Sequence, residues 1–276
     1  MTKIILETFH VDSIPVLSIT EETTEPHPLV VYIHGYMANK EQGLVYGYEL
    51  ARLGFHFISF DAVMHGDRFE QELEDMWNGK GTYVYPFETG LDNFFLMHEV
   101  IIQAARDLEV LTAHFAETGK VDASRVGVTG FSMGGFATHY IAANNPGIQA
   151  AVSIAGIPAF ATRWRDVVLE TSSYQKWAEA MKAVEAETKK RTDFIDRIDP
   201  FSKMTSFHPK PLLMICGDKD LDSPKIYSVD LYRTLKPVYS DHPERLRLSI
   251  HDEAGHQLTS SILQEACSWF STHLMR

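Results

Sequence analysis

Cysteine is nearly absent from this chain of 276 residues: there are two, Cys216 and Cys267. Two cysteines cannot build a disulfide framework, which makes a reducing compartment, and so the cytoplasm, the expected location. Positive charge is also short, with 25 Lys+Arg against 37 Asp+Glu and a formal net charge of −12. Binding a phosphate backbone or an anionic membrane requires clustered Lys and Arg, so neither nucleic acid nor a membrane surface is an expected partner. No apolar run reaches the 18 or more residues needed to span a bilayer. Met1–His10 has one Lys and alternating apolar residues rather than a continuous apolar core, so no signal peptide is expected. Internal repeats and low-complexity tracts are lacking as well. So are an H-E-x-x-H pair, cysteines at zinc spacing, a G-x-x-x-x-G-K-[ST] phosphate loop and a G-x-G-x-x-G turn. The expectation is therefore no metal and no cofactor. What is plentiful is apolar surface: hydrophobic residues make up 45% and charged residues 22%, enough to order a globular core.

That surface is patterned. Lys3–Phe9 alternates and predicts a strand, Ile14–Ile19 a second. Leu29–Ile33 (LVVYI), His56–Phe60, Arg125–Thr129, Ala150–Ile154 and Leu212–Cys216 are short continuous runs, as strands buried on both faces require. Arg247–His251 is a weaker member. Between them lie helical patterns at Gly43–Arg52, Leu91–Phe115, Phe136–Asn144 and Leu258–Leu274, while Glu21–Pro28 reads as a loop. Strands alternating with helices predict the α/β class, with a mostly parallel sheet covered on both faces. From Pro158 to about Lys210 the alternation fails. Trp164, Trp177 and the charged stretch Glu179–Arg191 are helical in propensity, with no strand candidate among them. This segment reads as a helical insertion at about 158–210 within one domain spanning 1–276, in preference to a pair of ordinary crossover helices.

The strongest chemical signal is Gly130-Phe131-Ser132-Met133-Gly134-Gly135, placed between a predicted strand and a predicted helix. In that context a G-x-S-x-G run is a strained turn that lifts a serine hydroxyl clear of the sheet. The glycines remove Cβ atoms where strand and helix nearly touch. A serine nucleophile needs a base, and the base an orienting acid. After Leu212–Cys216 comes a turn with three candidate acids, Asp218, Asp220 and Asp222; after Arg247–His251 comes a loop with His256. His251 is the rival base but belongs to the strand pattern. His34, following Leu29–Ile33, reads as a structural histidine bonded within its loop rather than a metal ligand or second base. Cys216 reads as a buried strand residue, not a nucleophile.

The ordered set His34-Gly35-Tyr36, Gly130-Phe131-Ser132-Met133-Gly134-Gly135, Gly217-Asp218-Lys219-Asp220 and Gly255-His256 resembles the α/β-hydrolase superfamily. More narrowly, with Phe60-Asp61-Ala62-Val63-Met64-His65-Gly66-Asp67-Arg68-Phe69 and Ile14-Pro15-Val16-Leu17, the chain resembles small bacterial carboxylesterases of the YjfP/YitV type. These are akin to the catalytic domain of prolyl-oligopeptidase-like enzymes. The resemblance implies the α/β-hydrolase fold, with the 158–210 insertion as a small helical cap. It implies a catalytic triad of Ser132, Asp220 and His256, the acid standing three residues after the strand-ending glycine. The backbone N–H groups of Tyr36 and Met133 would form the oxyanion hole. The activity implied is cofactor-free hydrolysis of short-chain carboxylic esters through an acyl-enzyme. A small-molecule ester is then the partner, and the protein a monomer or homodimer. A peptidase or acyltransferase on the same triad is the alternative, and a non-catalytic binding protein the remaining one.

Overall fold

The apolar runs become one eight-stranded sheet in the computed structural model of the chain, which describes residues 3–69, 87–172 and 177–275. Side chains are described for 3–69, 94–169 and 188–275. The strands are β1 (Ile4–Val11), β2 (Ile14–Glu21), β3 (His27–Ile33), β4 (His56–Phe60), β5 (Val121–Phe131), β6 (Ala150–Ile154), β7 (Leu212–Gly217) and β8 (Leu246–His251). Their spatial order is β1-β2-β4-β3-β5-β6-β7-β8. The β1–β2 and β2–β4 pairs are antiparallel and every other pair is parallel. This is the mostly parallel sheet of the α/β-hydrolase fold, as expected.

Parallel neighbours need crossovers, which helices supply. Among the described residues these are α1 (Leu44–Arg52), α2 (Phe87–Glu117), α3 (Met133–Asn144), α4 (Phe160–Ser172), α5 (Trp177–Ile198), α6 (Ile226–Leu235) and α7 (Ser260–Leu274). The period of two along each strand divides the core. Leu29, Val31 and Ile33 of β3 belong to the layer containing α2 and α3. Val30 and Tyr32 belong to the layer containing α1 and α7. All five are fully buried, the reason their run shows no polar alternation. No helix among the described residues is long and apolar enough to cross a membrane.

Some boundaries differ from expectation. β3 begins inside the predicted loop, at His27, and pairs with β5 across a register shift between Pro28 and Leu29, where a proline is tolerated. α3 begins at Met133 instead of Phe136, because Gly134 and Gly135, poor helix formers, are kept there by close packing. α6 was absent from the expected elements although Tyr227, Leu231 and Leu235 carry its buried face at helical spacing.

The connection from β6 to β7 holds α4, α5 and a 3-10 stretch, Pro200–Ser206, with no strand among the described residues. Trp164 is buried and its indole N–H donates to Thr192 Oγ1 at 2.8 Å, tying α4 to α5. Asp199 Oδ1 accepts from the Phe160 and Phe201 N–H groups, closing the base of this excursion. Phe95 of α2 meets Phe194 at 5.4 Å between ring centroids. Trp177, which falls in the predicted insertion, has its side chain outside the described residues.

Candidate active site

β5 runs directly into Ser132, which has φ 54° and ψ −115°, a left-handed conformation rare for a residue with a side chain. Tertiary contacts impose it. The Ser132 N–H donates to the Ile154 carbonyl at 2.9 Å, and the Ser132 carbonyl accepts from the Phe136 N–H at 2.9 Å. A Cβ on Gly134 would lie 1.8 Å from the Ile33 carbonyl oxygen, and one on Gly130 would lie 2.5 Å from the Gly134 carbonyl carbon. Only glycine allows α3 to start this close to the ends of β3 and β5.

The loops after β7 and β8 are joined through backbone. The Asp218 N–H donates to the His251 carbonyl at 2.9 Å and the Lys219 N–H to the Ala254 carbonyl at 2.8 Å. This brings Asp220 beneath His256. Asp220, with a fully buried side chain, accepts the Ser223 N–H on Oδ1 at 2.8 Å and pairs through Oδ2 with His256 Nδ1 at 2.8 Å. The other ring nitrogen, Nε2, lies 2.8 Å from Ser132 Oγ. With Nδ1–H given to the carboxylate, Nε2 is the acceptor for the serine hydroxyl. The Phe131 ring lies 4.8 Å from the imidazole, between centroids.

The rivals are placed otherwise. Asp218 is paired with Lys225 and Lys219, whose hydrogen bonds hold its carboxyl below the usual carboxylate range. Asp222 is exposed, with an oxygen within 4.8 Å of ligand atoms of Asp220 and His256. That trio has a spacing a metal could use, yet both nitrogens of His256 are already engaged by Asp220 and Ser132. His251 is bonded to Glu265 at 2.9 Å. Both cysteines are buried free thiols, and burial pushes Cys216 up to about 11 and Cys267 up to about 12. A thiol so hard to ionise is a poor nucleophile.

The loop after β3 lies against the elbow: a Cβ on Gly35 would be 3.3 Å from the Phe131 ring. His34 is buried, its Nδ1 donating to the Gly35 carbonyl at 2.8 Å and its Nε2 accepting the Ala62 N–H at 3.0 Å. Burial lowers its pKa to about 4, against the opposing effect of the Gly35 bond, so the ring is neutral. Gln42 accepts the Gly35 N–H at 2.7 Å. Tyr36 follows, half-buried, and Met133 is the first residue of α3, where the backbone N–H groups of a helix point outward. Lys40, Gln42 and Asp107 support these loops and went unnoticed in the sequence: Lys40 meets Asp61 across 21 residues and Asp107 meets Arg68 across 39, while Gln42 reaches back to Gly35.

A family model described as the prolyl oligopeptidase family matches residues 102–274. The chain is 28% identical over 271 residues to the Bacillus subtilis (strain 168) protein named "Putative esterase YitV", covering 98% of this chain and 99% of that one. Among solved structures it is similar to TT1662 from Thermus thermophilus, with a TM-score of 0.66, 18% identity and 99% of each chain covered. It is also similar to acetyl xylan esterase 1 from Thermoanaerobacterium sp. JW/SL YS485, with a TM-score of 0.64, 19% identity, and 99% of this chain and 88% of that one covered.

Proposed function

From the chain's membership of the prolyl oligopeptidase family, we propose that it is a serine carboxylesterase acting on small, short-chain acyl esters. The observation that carries this reading is the continuous path from Asp220 Oδ2 through His256 to Ser132 Oγ, 2.8 Å at each step, on a strained elbow.

In the proposed reaction Ser132 Oγ attacks the acyl carbon while His256 Nε2 takes its proton. Asp220 holds the imidazole in the required tautomer and steadies its positive charge. The Tyr36 and Met133 N–H groups hold the tetrahedral oxyanion, each such donor being worth roughly 10²–10³ in rate. His256 then protonates the leaving alcohol, and water, activated by the same base, releases the acid from the acyl-enzyme. Each proton passes through His256 Nε2, from Ser132 to the leaving alcohol and then from water back to Ser132. We take α4, α5 and the following turn as the helical cap of a single domain, and so as the place where acyl and alcohol preferences are set. The name of one structural neighbour carries an acetyl ester, which puts acetyl first in a chain-length panel.

Ser132→Ala is expected to abolish p-nitrophenyl acetate turnover while leaving the melting temperature within a few degrees of wild type. Retained turnover would remove Ser132 as nucleophile. The family's name keeps peptides in the substrate panel, and partitioning of the acyl group to added alcohol over water would reveal an acyltransferase.

A further inference from the structure

The run from Asp61 to Phe69 takes no part in the reaction just described, yet it is tied into the site from several directions. Asp61 is fully buried and its carboxylate accepts three hydrogen bonds: from the Lys40 N–H at 2.7 Å, from Lys40 Nζ at 2.9 Å and from the Asp67 N–H at 2.9 Å. Lys40 Nζ also pairs with Asp67 at 2.8 Å. Burial tends to lower the Lys40 pKa, but the bonds to Asp67 and Asp61 outweigh it and raise the ammonium above its ordinary range. Gly66 has φ +52°, and a Cβ there would lie 2.2 Å from Asp61 Cγ, so the loop closes directly over the carboxylate. Arg68 donates to the Asp61 carbonyl at 3.2 Å and pairs with Asp107 of α2. One buried anion thus fixes both the segment leading from Tyr36 to Lys40 and the loop opposite.

Between these anchors the two loops meet through rings. The His65 ring lies 5.1 Å from that of His34 and 5.4 Å, edge-on, from that of Tyr36. His65 Nδ1 donates to the Val63 carbonyl at 2.9 Å, which fixes the ring's orientation. Nε2 is buried and makes no hydrogen bond among the described residues. The contact that His65 makes with Tyr36 is ring against ring.

We propose that the 61–69 loop positions the oxyanion-binding loop and that His65 is the positioning residue, its ring setting where the Tyr36 N–H points. This rests on the esterase reading above and assigns one support of that site. Oxyanion donors act over a narrow distance range, so a small displacement of Tyr36 weakens transition-state binding more than substrate binding.

The test uses His65→Gln, which keeps a donor for Val63 but lacks a ring, and His65→Phe, which keeps a ring but lacks the donor. For each, kcat and KM on p-nitrophenyl acetate, the inhibition constant of an aryl trifluoromethyl ketone and the melting temperature are measured. The ketone forms a reversible serine adduct whose oxyanion needs the same donors. His65→Gln is expected to lower kcat by about 10- to 100-fold, a part of one donor's worth. KM should stay within about twofold, and the ketone's inhibition constant should rise by the same factor by which kcat falls. His65→Phe should restore both to within about threefold of wild type. Wild-type kcat and ketone affinity in a folded His65→Gln protein would overturn the proposal. So would equal losses in the two variants, or a change confined to KM. If His65→Gln does not fold, the proposal stands only on near-wild-type values in His65→Phe, and a loss of kcat and ketone affinity there refutes it. Failure of the esterase reading looks different: no wild-type turnover, or turnover that survives Ser132→Ala.

Discussion

The elbow at Ser132 and the loop from Asp61 to Phe69 each leave the carboxyl end of a central strand, β5 and β4, but different forces hold them. The elbow is a backbone structure. Gly130 and Gly134 bring strand and helix into contact, and the Ser132 N–H is bonded to the Ile154 carbonyl. The 61–69 loop is a side-chain structure, built on the Lys40–Asp61 and Arg68–Asp107 pairs. Steric close approach demands small residues at fixed intervals along one stretch of chain. Ion pairing demands only that two distant segments meet. The first mode is broken by added volume, the second by loss of one charge.

The largest effect belongs to the steric mode. Gly134→Ala drives a methyl group to within 1.8 Å of the Ile33 oxygen, with backbone on both sides of the contact. Loss of ester turnover is expected, with a melting temperature lowered by many degrees or no folded protein. A Gly134→Ala protein that melts and turns over like wild type would mean that α3 does not depend on this approach. Next comes the ionic mode. Lys40→Met leaves a fully buried Asp61 without its cation, which costs about 3–5 kcal/mol when one partner of a buried pair is removed. Adding Asp61→Asn to Lys40→Met should recover part of that loss in urea unfolding. If Lys40→Met alone is neutral, the pair is not what holds the loop.

The smallest effect is the pH dependence of the histidine that joins the two loops, His34. The pKa of His34 is about 4 in the folded protein, lowered by burial, against an unfolded value of about 6.5. The native state thus binds fewer protons, so this stabilisation is complete above about pH 6.5 and is lost as the pH falls toward 4. The slope is at most about 1.4 kcal/mol per pH unit for each such histidine. His65 is shifted in the same direction by burial. Protonated His34 can no longer accept the Ala62 N–H, so hydrogen-exchange protection at Ala62, corrected for intrinsic rates, should fall across this window more than at Ser132. Equal losses at the two amides would show that the loops open together.

The same contrast explains what the sequence made legible. β4 and β6 appear at their full length, His56–Phe60 and Ala150–Ile154, because strands buried on both faces are mostly apolar along their whole length, with His56, Ser59 and Ser153 as their buried polar members. Ser132 and His256 stood out because each follows a strand at a turn, whereas Asp220 was set apart from Asp218 and Asp222 on the same turn only by the resemblance; the structure brings the side chains of Ser132, Asp220 and His256 together. The start of α3 was misplaced because Gly134 and Gly135 look like loop until β3 is packed against them. Asp61 was visible only as part of a resemblance: its partner Lys40 is 21 residues away, and that of Arg68 is 39 residues away. No local pattern encodes such pairs. The fold of α4 and α5 was likewise readable as helix, whereas the Trp164–Thr192 bond that joins them depends on tertiary packing.

The central proposal is covalent catalysis at Ser132, and it can be observed directly. Acid quenching during turnover of p-nitrophenyl acetate, followed by peptide mapping with mass spectrometry, should find one acetyl group on the peptide carrying Ser132, and none in the Ser132→Ala protein. An acetyl group on another residue, or turnover with no trapped adduct at Ser132, would contradict the account.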